Sequence, residues 1–276
     1  MATATAPLIL MDTHVHLHRC FAVEQVLAKG WANFAKVAAQ HGQRDNFIGC
    51  LGLTEMAGEG WFNQQRQLAQ GTGAVSLPDD WQLKSTADAV SLWATHPTGA
   101  RLLLLAGRQI ITQEKLEVLA LLTPVALPDG DSLGGTVAAI AAQGGIPVLP
   151  WGVGKWIGPR GTLVTAFLQQ QDRPKILLGD NSGRPWGWRR PPSFHLAEQQ
   201  GLPVLPGTDP LPLPSEAARV GSFGLHWAGP LDSERPGQTI YAQLQALSPP
   251  ISAYGPLEMP WRFVKNQVAL RLQKAA

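Results

Sequence analysis

Near the start of the chain, an aspartate and three histidines occupy alternate positions in Asp12-Thr-His14-Val-His16-Leu-His18. In an extended strand alternate side chains share a face, so His14 and His16 can present both imidazoles to one point. Neutral imidazoles suit zinc, manganese or iron, and a carboxylate from a distant strand commonly completes the shell. Asp209, in Gly207-Thr-Asp209 after a short apolar run, is the natural partner, which gives one divalent metal on His14, His16 and Asp209. Without a metal the same residues would be hydrogen-bonded polar groups at a strand end. Asp12 ahead of the histidines and a carboxylate at Asp209 favour the metal.

These side chains need strands to carry them. The run Leu8–Met11 opens into the histidines, and Val23, Val26, Leu27, Trp31, Phe34, Val37 and Ala38 then recur at helical spacing. A second apolar run, Phe47–Leu53, ends in Thr54-Glu55, so the first fifty residues read as a βαβ unit. Hairpins are expected over 89–94 with 101–106 and over 109–112 with 116–122. Helices then alternate with strands: 137–142, 163–171 and 194–200 helical, 146–149, 175–178 and 203–205 extended. Ser215 reads as the N-cap of a short helix over 216–220. The stretches 238–247 and 261–272 read as closing helices, the latter with Trp261, Val264, Val268 and Leu272 on one face. The expectation is one α/β domain over 1–276, a barrel with its core at about 8–224 and closing helices over 236–273.

In parallel barrels the active site lies at the C-terminal ends of the strands. Besides the histidines, Glu55, Gln109, Trp151, Lys155, Asp180, Arg184 and Asp209 follow expected strands. Glu55 or Asp180 could serve as a base, with Lys155, Arg160 or Arg184 meeting developing negative charge. Four of the ten tryptophans fall in two glycine-rich loops, as Trp151, Trp156, Trp186 and Trp188. Those loops read either as an aromatic, cationic mouth for an anionic ligand or as structural plugs.

Composition limits the alternatives. The 276 residues are 45% hydrophobic and 15% charged, which excludes disorder as the overall state. A formal net charge of +2 leaves no electrostatic footprint for nucleic acid. No apolar run reaches the roughly 18–20 residues that cross a bilayer, and Met1–Pro7 has no basic, apolar leader pattern. Two cysteines, Cys20 and Cys50, build neither a disulfide framework nor a thiolate zinc site. The expected protein is cytoplasmic, with a small anionic molecule as partner and neither nucleic acid nor membrane; composition sets no oligomeric state.

Taken in order, the motifs resemble those of the PHP (polymerase and histidinol phosphatase) family, relatives of the metal-dependent amidohydrolases. The likeness covers about residues 8–224. It rests on Asp12-Thr-His-Val-His16, Thr54-Glu-Met56, Ala106-Gly-Arg-Gln109 with the hairpin after it, Gly144-Gly-Ile-Pro-Val-Leu-Pro-Trp151 and Gly207-Thr-Asp209. The resemblance implies a distorted (β/α)7-8 TIM-like barrel of PHP type with a β-hairpin insertion. It also implies metal-dependent hydrolysis of a phosphoester or similar small anion. Several positions depart from the pattern. Met56, Trp151 and Leu211 stand where the family carries histidines, and neutral Gln109 stands where it carries a bridging glutamate. Two clustered cations need bridging negative charge between them, so the chain has side chains for about one metal. The same losses are compatible with a degenerate barrel that binds a small ligand or a protein without turnover.

Overall fold

The structure, a computed structural model, describes residues 6–275, with side chains described to Leu272. The first part of the chain runs β1 (Leu8–Val15), α1 (Val23–Gln40), β2 (Phe47–Leu53), α2 (Trp61–Thr72) and β3 (Val75–Ser76), then β4 (Gln82–Ser85), β5 (Ser91–Thr95) and β6 (Arg101–Leu105). Next come β7 (Gly107–Ile111), β8 (Glu117–Leu121), α3 (Leu133–Ala142), β9 (Ile146–Pro150), α4 (Pro159–Gln169), β10 (Leu177–Asn181), α5 (Pro192–Gln199) and β11 (Val204–Gly207). A 3-10 helix (Pro214–Arg219), β12 (Gly224–Ala228), α6 (Pro236–Ala246), β13 (Ala253–Tyr254) and α7 (Pro260–Ala275) complete it.

The strands do not close into the expected TIM-like barrel. They form an eight-stranded sheet, β13-β12-β1-β2-β6-β5-β4-β3, and a five-stranded sheet, β11-β10-β9-β8-β7. Both edges of β1 are taken, by parallel β2 on one side and antiparallel β12 on the other, so β11 has no ladder to join. Likewise β2 lies between β1 and β6, and β7 meets it only through the isolated bridge Glu55–Arg108. Both expected hairpins are present, as β5–β6 and β7–β8.

Burial on both faces explains the continuous apolar runs. Leu102 and Leu104 pack toward the helical layer of the larger sheet, whereas Leu103 and Leu105 face the space between the sheets. In the smaller sheet Leu119, Leu121, Ile146, Val148, Leu177 and Leu205 face that same space, and Val118, Ala120, Leu178 and Val204 face outward. The inter-sheet layer is thus the central core, and its end near β1 carries the site.

Three local expectations change. A helix absent from the sequence reading, α2, buries only Phe62 and Ala69 among its residues, so its apolar stripe is faint. The turn after Pro214 is a 3-10 helix whose N-cap is Leu213, with no side-chain capping bond, in place of a Ser215-capped helix. The stripe Trp261, Val264, Val268 and Leu272 of α7 faces out of the molecule. Among the described residues no helix is long and apolar enough to cross a membrane.

Candidate metal site

A bulge in β1 aims the histidines. Asp12 pairs with Leu51 of β2 and Val15 with Leu53, three steps of one strand against two of the other. Bulges exchange the faces of the residues beyond them. Accordingly Leu10 before the bulge and Val15 after it lie in the same outer cluster, while Ile9 and Met11 face the inter-sheet core. His14 and His16 therefore emerge on the inter-sheet side.

Asp12 stitches this bulge to the end of β11. Its carboxylate accepts from the Thr208 backbone N–H (2.8 Å), the Thr208 hydroxyl (2.5 Å), the Gly221 N–H (2.9 Å) and the His14 N–H (3.3 Å). The Thr13 hydroxyl donates to the Pro206 carbonyl at 3.0 Å, and the Asp209 N–H to the His14 carbonyl at 2.8 Å. Asp209 sits at φ 45°, in the left-handed region that aspartate enters more readily than most residues with a side chain. That turn sends its carboxylate back toward the two rings.

Three donor atoms converge as a result. His14 Nε2 and His16 Nε2 are 3.1 Å apart, and Asp209 Oδ1 stands 3.5 Å from the first and 3.7 Å from the second. Both rings are buried and the carboxylate is half-buried. Ligands at 2.0–2.2 Å from a tetrahedral ion stand about 3.3 Å from one another, close to these separations. A proton shared between the rings would account for the 3.1 Å contact alone. It would not account for a carboxylate oxygen placed nearly equidistant from both nitrogens. Burial, reinforced by His14 alongside, lowers the His16 pKa to about 3 and keeps its imidazole neutral. Burial pushes the Asp209 carboxyl up, but His14, His16 and Lys155 outweigh it and hold the group below its ordinary range. A neutral ring beside an ionised carboxylate is the state a cation requires. His14, His16 and Asp209 together form a group able to hold one metal ion.

Asn181, which follows an expected strand but received no role from the sequence, completes the surroundings. Its amide N–H group donates to Asp209 Oδ2 at 3.0 Å and to the Trp151 carbonyl at 2.9 Å, fixing the carboxylate from behind. Asn181 Oδ1 and His16 Nδ1 are buried without a hydrogen-bond partner. Strand parity held the missing signal: Asn181 shares a face with inward Leu177, whereas its neighbour Asp180 shares one with outward Leu178.

The other expected site residues lie at varied distances from this centre. Lys155 borders the same cavity as Asp209 and Asn181, with its ammonium against Glu117, a residue not anticipated from sequence. Trp151 is buried and reaches the site through its carbonyl. Gln109 lies in β7 in register with Leu119, on the inter-sheet face. Glu55 accepts the Phe62 N–H at 2.7 Å at the start of α2 and faces Arg108 at 3.4 Å; burial raises its pKa. Asp180 is held by both Nε (2.9 Å) and a terminal nitrogen (2.7 Å) of Arg184. Arg160 donates to the carbonyls of Gly154 and Lys115, and Trp186 is exposed at the surface.

A cavity of about 170 Å³ opens beside Asp209, between the ends of the strands and α7. Its far wall is a buried charge network. Arg219 lies against Glu258, stands 3.6 Å from Glu216, and donates to the Ser182 hydroxyl and carbonyl at 2.7 and 2.9 Å. Arg262 and Asn266 of α7 donate to Glu216 at 3.0 and 3.1 Å, which ties the helix down.

No protein-family profile matches the chain, and no curated protein matches it by sequence. Among solved structures it is similar to PsfC from Pseudomonas syringae PB-5123, at TM-score 0.53 and 15% identity, over 97% of this chain and 99% of that one. It is also similar to PfuEndoQ, a lesion-specific endonuclease from Pyrococcus furiosus, at TM-score 0.47 and 9% identity, over 89% of this chain and 57% of that one. At such identity the likeness to PsfC shows a shared fold, and no more.

Proposed function

We propose that this chain is a metal-dependent hydrolase of PHP type that uses one divalent metal on His14, His16 and Asp209 to act on a small anionic substrate, a phosphoester or a close relative. The observation that carries the reading is the convergence of two imidazole nitrogens and a carboxylate oxygen within 3.1–3.7 Å of one another on a bulge built to aim them. Such an ion, when bound, polarises a substrate oxygen and lowers the pKa of coordinated water. The chain's own residues do the rest. Asn181 keeps Asp209 oriented, and Lys155 at the cavity edge would leave its partner Glu117 to meet negative charge on the substrate. Zinc, manganese and iron all suit two imidazoles and a carboxylate.

A second reading, binding without turnover, draws on the state of the two expected bases. Asp180 is held by two nitrogens of Arg184, and Glu55 by Arg108 and the Phe62 N–H, so both carboxylates are committed to contacts within the protein. Metal analysis of untagged protein separates the readings, paired with a generic phosphoester assay on wild type and on H14A/H16A. Near-stoichiometric metal with metal-dependent hydrolysis, both lost in the variant, supports the hydrolase. Metal without hydrolysis favours the binding reading, as does absence of metal from the wild type, which overturns the hydrolase.

A further inference from the structure

The last helix is inside out. Along α7 the residues turned toward the protein include Phe263, buried Asn266 and Gln267, which line the cavity. Trp261, Val264, Val268 and Leu272 point away and are 64, 59, 51 and 67% exposed. At 3.6 residues per turn these four form one stripe, with Lys265 on one flank and Arg271 on the other. From Pro260 to the last residue the sequence contains no Asp or Glu.

Neighbouring loops extend the patch. Trp186 is 68% exposed, and its N–H bonds the Glu258 carbonyl at 2.7 Å, placing it beside exposed Met259. Half-exposed Trp188 packs its ring 5.8 Å from that of Phe263, and exposed Arg189 follows it. Exposed tryptophans and aliphatics with a basic border have the composition of elements that settle into the headgroup region of a bilayer.

From this arrangement we infer that α7 and the Trp186–Trp188 loop dock the protein peripherally on an anionic lipid surface. Charge selects that occupant over a second copy of the chain. In a symmetric pair of these helices the flanks beside the stripe meet their own kind, lysine and arginine against arginine and lysine. Shape selects it over a partner peptide. An amphipathic peptide needs a concave apolar track, whereas these side chains stand out from a helix crest. The absence of a spanning segment from the sequence does not bear on a helix that lies in the interface plane. This proposal is independent of the metal reading.

Co-sedimentation with large vesicles tests it, using pure phosphatidylcholine and phosphatidylcholine mixed with phosphatidylglycerol. The full chain should bind the mixed vesicles at least about tenfold more tightly, in a salt-sensitive manner. K265E/R271E should reduce that binding to the phosphatidylcholine level, and V264D/V268D should abolish it. All four residues are exposed, so both variants should keep the wild-type unfolding midpoint. Absence of binding, or equal binding by wild type and both variants, overturns the proposal. So does a wild-type dimer in sedimentation velocity that V264D/V268D converts to monomer, which would assign the stripe to a second copy.

Discussion

Asp12 serves the candidate metal site without touching its three donor atoms. Its two oxygens accept four hydrogen bonds that fix the His14 backbone, the Thr208–Asp209 turn and the Gly221 loop. Replacing one oxygen with an amide N–H group sets a donor against donors, so D12N should destabilise the chain by about 1–3 kcal/mol in urea unfolding. Burial raises the Asp12 pKa from 3.8 to about 6 in the folded chain. The folded state then holds more proton than the unfolded state between those values, so this residue's contribution to stability declines as pH rises through that window. D12N should lack that decline in denaturation series at successive pH values. Asn181 acts on the ligand itself, and N181L should weaken metal binding about 10–100-fold in chelator competition. At this scale the sequence made His14 and His16 legible because alternation in a strand places residues two apart on one face, and Asp209 because it is the carboxylate that follows a later apolar run. It pointed less clearly to Asn181, since Asp180 beside it has the stronger chemistry and only the inward position of Leu177 tells the two apart.

Close approaches of backbone fix the elements around the site. A Cβ on Gly207 at the end of β11 would lie 2.6 Å from both the Cβ and the backbone nitrogen of His14. G207A must therefore push β11 away from the bulge, costing about 1–3 kcal/mol and displacing a ligand residue. Calorimetric unfolding should show the first effect and loss of bound metal the second. At the other junction a Cβ on Gly107 would lie 2.3 Å from the Leu53 carbonyl oxygen, so the same substitution there should lower stability while leaving the ligands in place. The elements themselves were readable wherever apolar spacing was strong, as in α1, β2 and the two hairpins. Helix α2 escaped because Asn63-Gln-Gln-Arg-Gln67 shows little contrast between its faces. The short strands β3, β12 and β13 escaped because pairing partners, rather than their own patterns, make them strands.

Across the whole molecule, alternation of strand and helix implied a closed barrel, and the capture of one edge of β1 by antiparallel β12 and of one edge of β2 by parallel β6 prevented it. Nothing in residues 224–228 announces that β12 will take the free edge of β1, a pairing that leaves β11 without a ladder to join. The same end of the molecule is held by Arg219 between Glu216 and Glu258. R219M would take the close cation from Glu258 and leave Arg262 alone between the two carboxylates, and should cost about 3 kcal/mol, read as a lower urea midpoint with an unchanged slope. The bulge between Asp12 and Val15 has a consequence for descent as well. Straightening that stretch into an even ladder at unchanged length would turn both imidazoles outward among α1 and its neighbours, and removing one position as well would turn them back. A lineage that keeps the chemistry can exchange many letters of its opening strand, provided that it keeps the bulge or loses one position along with it.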